Sequence, residues 1–377
     1  MLMNHNESVM GIIFPNTYDN LIPQLVSERA MAAIPFGGRY RIIDFMLSSM
    51  ANAGIGNVSL LTRNNYHSLM DHLGTGREWD LARKHGGLNI IPPFAERTVN
   101  KIYNGRVEAL NSVMSFLTAQ KEKYVLLGDA IQVANIDIEA FVRAHIASGA
   151  DVTAMYQVTE IPDGAKNGNY TLTLDENGRV TEILNNDYRA GAQNLCMNIY
   201  ILEREPLISM IKDASVRGQL YFERDILAHN LKTLNVQSYK YEGYVSRITD
   251  LKSYFDENMR LLEGDNMDRL FDPARPVYTK IRDDNPTRYV QGAKVTNCII
   301  ADGCTIEGTV ENCVLFRGVT VAKGAVVKNC VLMQDTVVES NANIEYLVTD
   351  KNVKISAGKK LNGTESFPVY VAKASTV

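Results

Sequence analysis

The chain has 377 residues, 45% of them hydrophobic and 22% charged, so it can bury a sizeable core and is long enough for two domains. A formal net charge of −4 leaves no broad basic field and argues against nucleic acid or an anionic membrane surface as a primary partner. Residues Met1–Ser8 are polar without a basic leader, and no apolar run approaches the roughly 18 residues of a membrane span, so no membrane association and a cytoplasmic location are expected.

From residue 9 to about 242, short apolar runs alternate with longer amphipathic stretches, the pattern of parallel strands joined by crossover helices. The strands are predicted at Val9–Phe14, Asn57–Thr62, Tyr124–Leu127, Asp151–Gln157 and Cys196–Leu202. Helices are predicted near Arg41–Ala53, Val107–Ala119, Ile138–Ser148 and Phe222–Leu231. Between them, Tyr170–Leu174 and Arg179–Leu184 flank the turn Asp175-Glu176-Asn177-Gly178, a hairpin that makes the sheet mixed. Leu251, Tyr254, Phe255, Leu261 and Leu262 share one side of a helix that Thr249 or Asp250 caps and Gly264 ends. This helix closes an α/β domain over 1–264, and 265–289, with Pro273, Pro276 and Pro286, reads as a surface linker.

Beyond the linker the period changes. Asn297-Cys298-Ile299-Ile300 recurs as Asn312-Cys313-Val314-Leu315 and as Asn329-Cys330-Val331-Leu332. Aliphatic residues step by six through Leu315, Val321 and Val327 and again through Leu332, Val338 and Ile344. A hexapeptide step sets one apolar residue on each flat face of a triangular coil, and stacked coils build a core no single repeat could bury. A left-handed parallel β-helix is expected over 290–377.

Five cysteines, Cys196, Cys298, Cys304, Cys313 and Cys330, include no C-x-x-C pair, and the last four have no nearby histidine. They are assigned to packing rather than to zinc or a disulfide framework. His67, His72 and His85 around Trp79 read as ordinary polar positions on a surface loop after a short helix.

After the first strand, a nucleotide-binding fold needs a glycine turn, because the backbone must adopt φ > 0 and present N–H groups to phosphate without a Cβ in the way. This chain has Pro15, Asn16, Thr17, Tyr18, Asp19 and Asn20 there. Downstream, Ile34-Pro35-Phe36-Gly37-Gly38-Arg39-Tyr40-Arg41-Ile42-Ile43-Asp44-Phe45 with Leu47-Ser48-Ser49, then Leu126-Leu127-Gly128-Asp129, and in the repeats Val314–Val319 and Asp350–Val353, closely resemble segments of ADP-glucose pyrophosphorylases (glucose-1-phosphate adenylyltransferases). The resemblance covers nearly the whole chain. It implies a Rossmann-like nucleotidyltransferase domain with a mixed, mostly parallel sheet, followed by the β-helix.

The family joins a sugar 1-phosphate to the α-phosphate of ATP with Mg²⁺, work done by positioning and charge neutralisation. Measured against that pattern, only Leu21 and Pro23 of the triphosphate loop match, and the family's Arg-Ala-Lys-Pro is Arg29-Ala30-Met31-Ala32. Asp129 matches one metal-binding aspartate, though it also reads as a strand-end carboxylate bonding local backbone N–H groups; the other aspartate falls at Arg247. Asn185-Asn186-Asp187 and Cys196-Met197-Asn198 replace the sugar-phosphate motifs, and Gly105-Arg106-Val107-Glu108-Ala109 replaces the base-binding one. The resemblance thus implies no intact catalytic set and no Mg²⁺ site. Since one well-placed donor is worth about 3 kcal/mol in the transition state, the deficit is on the order of a thousandfold or more.

A chain that keeps scaffold and repeats while losing substrate chemistry resembles the GlgD-type companion subunits of Gram-positive glycogen synthesis. That likeness implies a catalytic homologous subunit as partner, an assembly on the family's tetrameric plan, and a sugar-phosphate effector held by Arg29, Arg39 and Arg41. The arginines read equally as surface groups in ordinary salt bridges. Two rivals stand beside this reading: a weak but genuine adenylyltransferase, and a hexapeptide acyltransferase, which the absence of histidine after His229 disfavours.

Overall fold

The computed structural model describes residues 8–93, 102–163, 169–187 and 189–377; most of the polar segment Met1–Ser8 lies outside them. By contacts the chain forms two compact units, one from 1–17 and 46–243 and the other from 18–45 and 244–377. Residues 18–45 and 244–264, within the sequence-defined stretch 1–264, therefore pack with the repeats.

In the first unit the strand Val9–Phe14 is buried along its whole length, flanked on both sides by parallel strands, Asn57–Leu61 and Tyr124–Asp129. The parallel strand Gly87–Ile91 extends the sheet past Asn57–Leu61, and the long strand Gly191–Glu203 runs antiparallel to Tyr124–Asp129. Gly191–Glu203 also carries Val152–Ile161 and the hairpin Tyr170–Leu174/Val180–Asn185, whose turn holds Gly178 at φ +76°. The register places Phe14 opposite Asp129, so the C-terminal ends of the two central parallel strands share one edge, where open α/β sheets bind ligands.

Two predicted helices differ in form. Val107–Ala119 is broken into Arg106–Asn111 and Met114–Ala119, because Asn111-Ser112-Val113 are weak helix formers and the Ser112 hydroxyl donates back to the Ala109 carbonyl at 2.7 Å. Phe222–Leu231 opens as a π-turn over Phe222–Leu227. His72 and Trp79 are not surface positions as expected: both are buried, edge to face at 6.0 Å. Gly76, at φ +76°, turns the chain back so tightly over Leu81 and Leu88 that a Cβ would collide, and this brings Trp79 inward.

In the second unit the helix Leu251–Arg260 opens on a capping box, with Asp250 accepting from the Ser253 N–H at 2.7 Å and Ser253 Oγ accepting from the Asp250 N–H at 2.9 Å. The hairpin Pro35–Phe36/Tyr40–Arg41 is pinned to this helix. The Gly37 N–H donates to Asn258 at 3.0 Å, and the Tyr254 hydroxyl donates to the Pro35 carbonyl at 2.8 Å. The repeats form parallel ladders, with Ile306, Val321, Val338 and Ile355 stacked on one face and Val310, Val327 and Ile344 on another, all buried. Asn297, Asn312 and Asn329 turn successive corners at φ of 51°, 50° and 49°. Next to them, Cys298 pairs with Cys313 across the ladder and Cys330 follows on the third coil; Cys313 and Cys330 are buried, Cys298 half-buried, and all five cysteines are free thiols.

Candidate functional site

Asp129 ends its strand with no exposed surface. The guanidinium of Arg106, the first residue of the helix Arg106–Asn111, ion-pairs with it and with Glu223 on the π-turn, so one cation bridges two buried carboxylates. Arg106 also lies 5.2 Å from the Phe14 ring and 5.7 Å from Tyr200. Gly105 lets the helix start there, since a Cβ would stand 2.1 Å from the Leu220 carbonyl oxygen. Arg106 is thus a cation beside Asp129 within the first unit; Arg247 lies in the strand Val245–Arg247 of the second unit. A divalent metal does not fit this arrangement: the Arg106 guanidinium is already ion-paired with both carboxylates, and Mg²⁺ would be set directly against that cation.

The loop after the first strand starts buried, at Pro15 and Asn16, and bonds back onto the fold. None of residues 15–20 has positive φ. Asn16 accepts from the Arg63 N–H at 2.9 Å and donates to the Asn64 carbonyl at 3.0 Å, and the Thr17 hydroxyl donates to Asp129 at 3.3 Å. In the second unit, Asp19 accepts from the Met31 N–H at 2.8 Å and the Tyr18 carbonyl from the Leu21 N–H at 3.0 Å. Pro15 is buried at the start of this loop and Asn20 exposed at its end. The sugar-motif positions behave alike: Asn198, at φ +55°, donates to Asn169 at 3.0 Å, Asn169 bonds the Cys196 carbonyl, and the Cys196 thiol meets the Tyr200 hydroxyl at 3.1 Å.

The three arginines expected at an effector site differ in their surroundings. Arg29 is buried and ion-paired with Asp350 at 2.7 Å, and Asp350 further accepts from the Lys351 N–H at 2.7 Å and the Tyr370 hydroxyl at 3.0 Å. Around Lys351 stand Arg41, Arg29 and Arg282. Arg39, exposed, lies over the Tyr40 ring at 5.8 Å and beside Arg317. Arg282 acts on both Lys351 and Arg317, so it stands between the Arg29, Arg41 and Lys351 set and the Arg39 and Arg317 pair.

Burial first, then Arg41 and Arg29 with Arg282 behind them, pulls the Lys351 ammonium down to about 7, with Asp350 opposing. Between that value and the ordinary lysine value of 10.5, the unfolded chain binds more protons than the folded one. Stability contributed by this group therefore rises as pH increases from about 7 toward 10.5. Lys351→Met removes that slope, so the variant gains on the wild type below pH 7 and loses the gain at high pH; urea midpoints of the two proteins across the range check it.

Sequence reasoning missed Glu223, Asp350 and Lys351 as site residues. Asp350-Lys351 was visible only as a framework segment, and nothing near Glu223 marks it as a partner of Arg106.

A family model described as nucleotidyl transferase matches residues 21–264, and one described as GlmU-like, C-terminal hexapeptide matches residues 280–365. Fold and matches together define a domain of the nucleotidyl transferase family followed by hexapeptide repeats. The glycogen biosynthesis protein GlgD of Bacillus subtilis (strain 168) is 32% identical over 369 residues, 98% of this chain and 96% of that protein. GlgD of Geobacillus stearothermophilus is 35% identical over 327 residues, 85% and 83% of the two chains. The glucose-1-phosphate adenylyltransferase of Fervidobacterium nodosum is 31% identical over 359 residues, 94% and 86%. The chain belongs to the ADP-glucose pyrophosphorylase (glucose-1-phosphate adenylyltransferase) family, among relatives that include GlgD.

Proposed function

We propose that the chain is a non-catalytic or very weakly active regulatory subunit of glucose-1-phosphate adenylyltransferase in glycogen synthesis, assembling with a catalytic homologue. One observation carries this reading: Arg106 occupies the carboxylates Asp129 and Glu223, so the position the family uses for a metal is closed by the protein's own cation. The inward-bonded loop at residues 15–17 supports it, as do relatives named for glycogen biosynthesis. The partner is a catalytic subunit sharing the same scaffold, on a tetrameric plan, in the cytoplasm. The cluster of Arg29, Arg41, Arg282 and Lys351 supports binding of a sugar-phosphate effector, since guanidinium and ammonium groups gathered together suit a phosphate.

Mixing the purified chain with a catalytic adenylyltransferase subunit tests this. Co-elution with altered kinetics or effector response is expected; separate elution with unchanged kinetics would overturn it. ATP- and Mg²⁺-dependent pyrophosphate release by the isolated chain would favour the alternative, a weak but genuine adenylyltransferase, which the retained Asp129 at the strand end keeps in view.

A further inference from the structure

Along one edge of the second unit, the helix Leu251–Arg260 and the asparagine corners enclose a groove of about 560 Å³, away from Arg29, Arg41 and Lys351 and lined by none of them. Its floor is a ladder of amides, with Asn297 Nδ2 donating to Asn312 Oδ1 at 2.9 Å and Asn329 following on the third coil. Each asparagine sits at left-handed φ, the conformation this residue tolerates best after glycine.

On the fourth coil the ladder position is Tyr346, at φ +53°. A bulky residue there is strained, and such strain persists only where the surroundings over-determine it. They do so here: the Tyr346 N–H donates to the Lys328 carbonyl at 3.3 Å, and the Tyr346 carbonyl accepts from the Val369 N–H at 2.9 Å. An asparagine would continue the ladder without that cost. What tyrosine adds is a half-buried ring, tilted 53° against Phe255 at 6.2 Å, at the end of the row of amides.

We propose that this groove binds a neutral sugar chain. Planar amide, carboxylate and guanidinium groups hydrogen-bond vicinal hydroxyls, and an aromatic face covers the C–H face of a pyranose. All are present: the asparagines, Glu257 paired with Arg260 at 3.2 Å, Asp256 paired with Lys252 at 2.6 Å, and Tyr346 beside Phe255. The two cations are matched by these two carboxylates, and Glu263 and Glu365 stand in addition at the rim, so a sugar phosphate is repelled while an uncharged sugar is not. The sugar-binding chemistry stands on the groove alone; the choice of an α-glucan as ligand rests on the glycogen reading.

The test is calorimetric titration of the full chain with maltoheptaose and, separately, cellohexaose. Binding of maltoheptaose is expected, weakened about tenfold or more in Tyr346→Asn and in Asn312→Gly, a loss of roughly 1.4 kcal/mol. Both substitutions suit a left-handed backbone, so Tm should hold or rise, which separates lost contacts from lost fold. Binding of cellohexaose as well would support a sugar groove that does not read the anomeric linkage. Binding of neither sugar, or binding undiminished in both variants, would overturn the proposal. Co-elution with a catalytic subunit is a separate readout, so failure of either idea is visible without the other.

Discussion

Arg106→Met destabilises the protein by about 3–5 kcal/mol, the range for breaking a buried ion pair by removing one partner. The substitution leaves Asp129, with no exposed surface, and Glu223, 4% exposed, as two carboxylates with their shared cation gone. The loss is a large part of the 5–15 kcal/mol that holds a typical domain together. It shrinks as pH falls, because buried carboxylates without a cation take up protons above their ordinary values and neutral acids tolerate burial. Replacing all three residues, as Arg106→Met with Asp129→Leu and Glu223→Met, restores most of the stability, since an apolar set of similar volume is often neutral or better. Urea unfolding at pH 5 and pH 7 followed by circular dichroism checks both statements. A single-variant loss below about 1 kcal/mol would mean that the bridge is solvated.

Asp350→Ala has an effect of the same size in the second unit, again about 3–5 kcal/mol. Arg29 is 3% exposed and loses the carboxylate it is paired with, while the charges of Arg41, Arg282 and Lys351 remain nearby. The backbone N–H of Lys351 and the hydroxyl of Tyr370 lose their acceptor as well. Here the repair comes from solution: inorganic phosphate should raise the Tm of Asp350→Ala more than that of the wild type, because an anion that binds the folded state stabilises it by mass action. Thermal melts with and without phosphate at constant ionic strength measure this.

Much of the fold was legible because its signals are local. The six-residue step through Leu315, Val321 and Val327 needs only neighbouring residues, and so do Gly178 in the hairpin turn and Asp250 at its helix. The missing glycine turn at 15–20 was legible for the same reason. What escaped was set by partners far apart in the chain. Arg106 and Glu223 are 117 positions apart, and Arg29 and Asp350 are 321 apart. No local pattern marks an arginine as buried, so Arg29 read as a surface group. The strand Val236–Lys240 carries too many polar residues to resemble a core strand, and Gly87–Ile91 offers only Leu88, Ile90 and Ile91 around Asn89; both lie toward the margins of the sheet and are only partly covered. The π-turn at Phe222 depends on what that helix packs against, whereas the break after Asn111 has a local cause, the Asn111-Ser112-Val113 run, that the apolar spacing of Val107–Ala119 masks.

The cysteines beside the asparagine corners have a consequence for how the repeats come apart. Their thiols bond carbonyls two residues back, Cys298 to Thr296 at 3.1 Å, Cys313 to Glu311 at 3.0 Å and Cys330 to Lys328 at 2.9 Å, and burial raises Cys313 well above an ordinary thiol. Stacked repeats fray by nearest-neighbour steps rather than melting all at once. Each of the first three rungs therefore carries its own silent chemical tag, and the order in which those tags become open to alkylation traces the route by which the stack unzips.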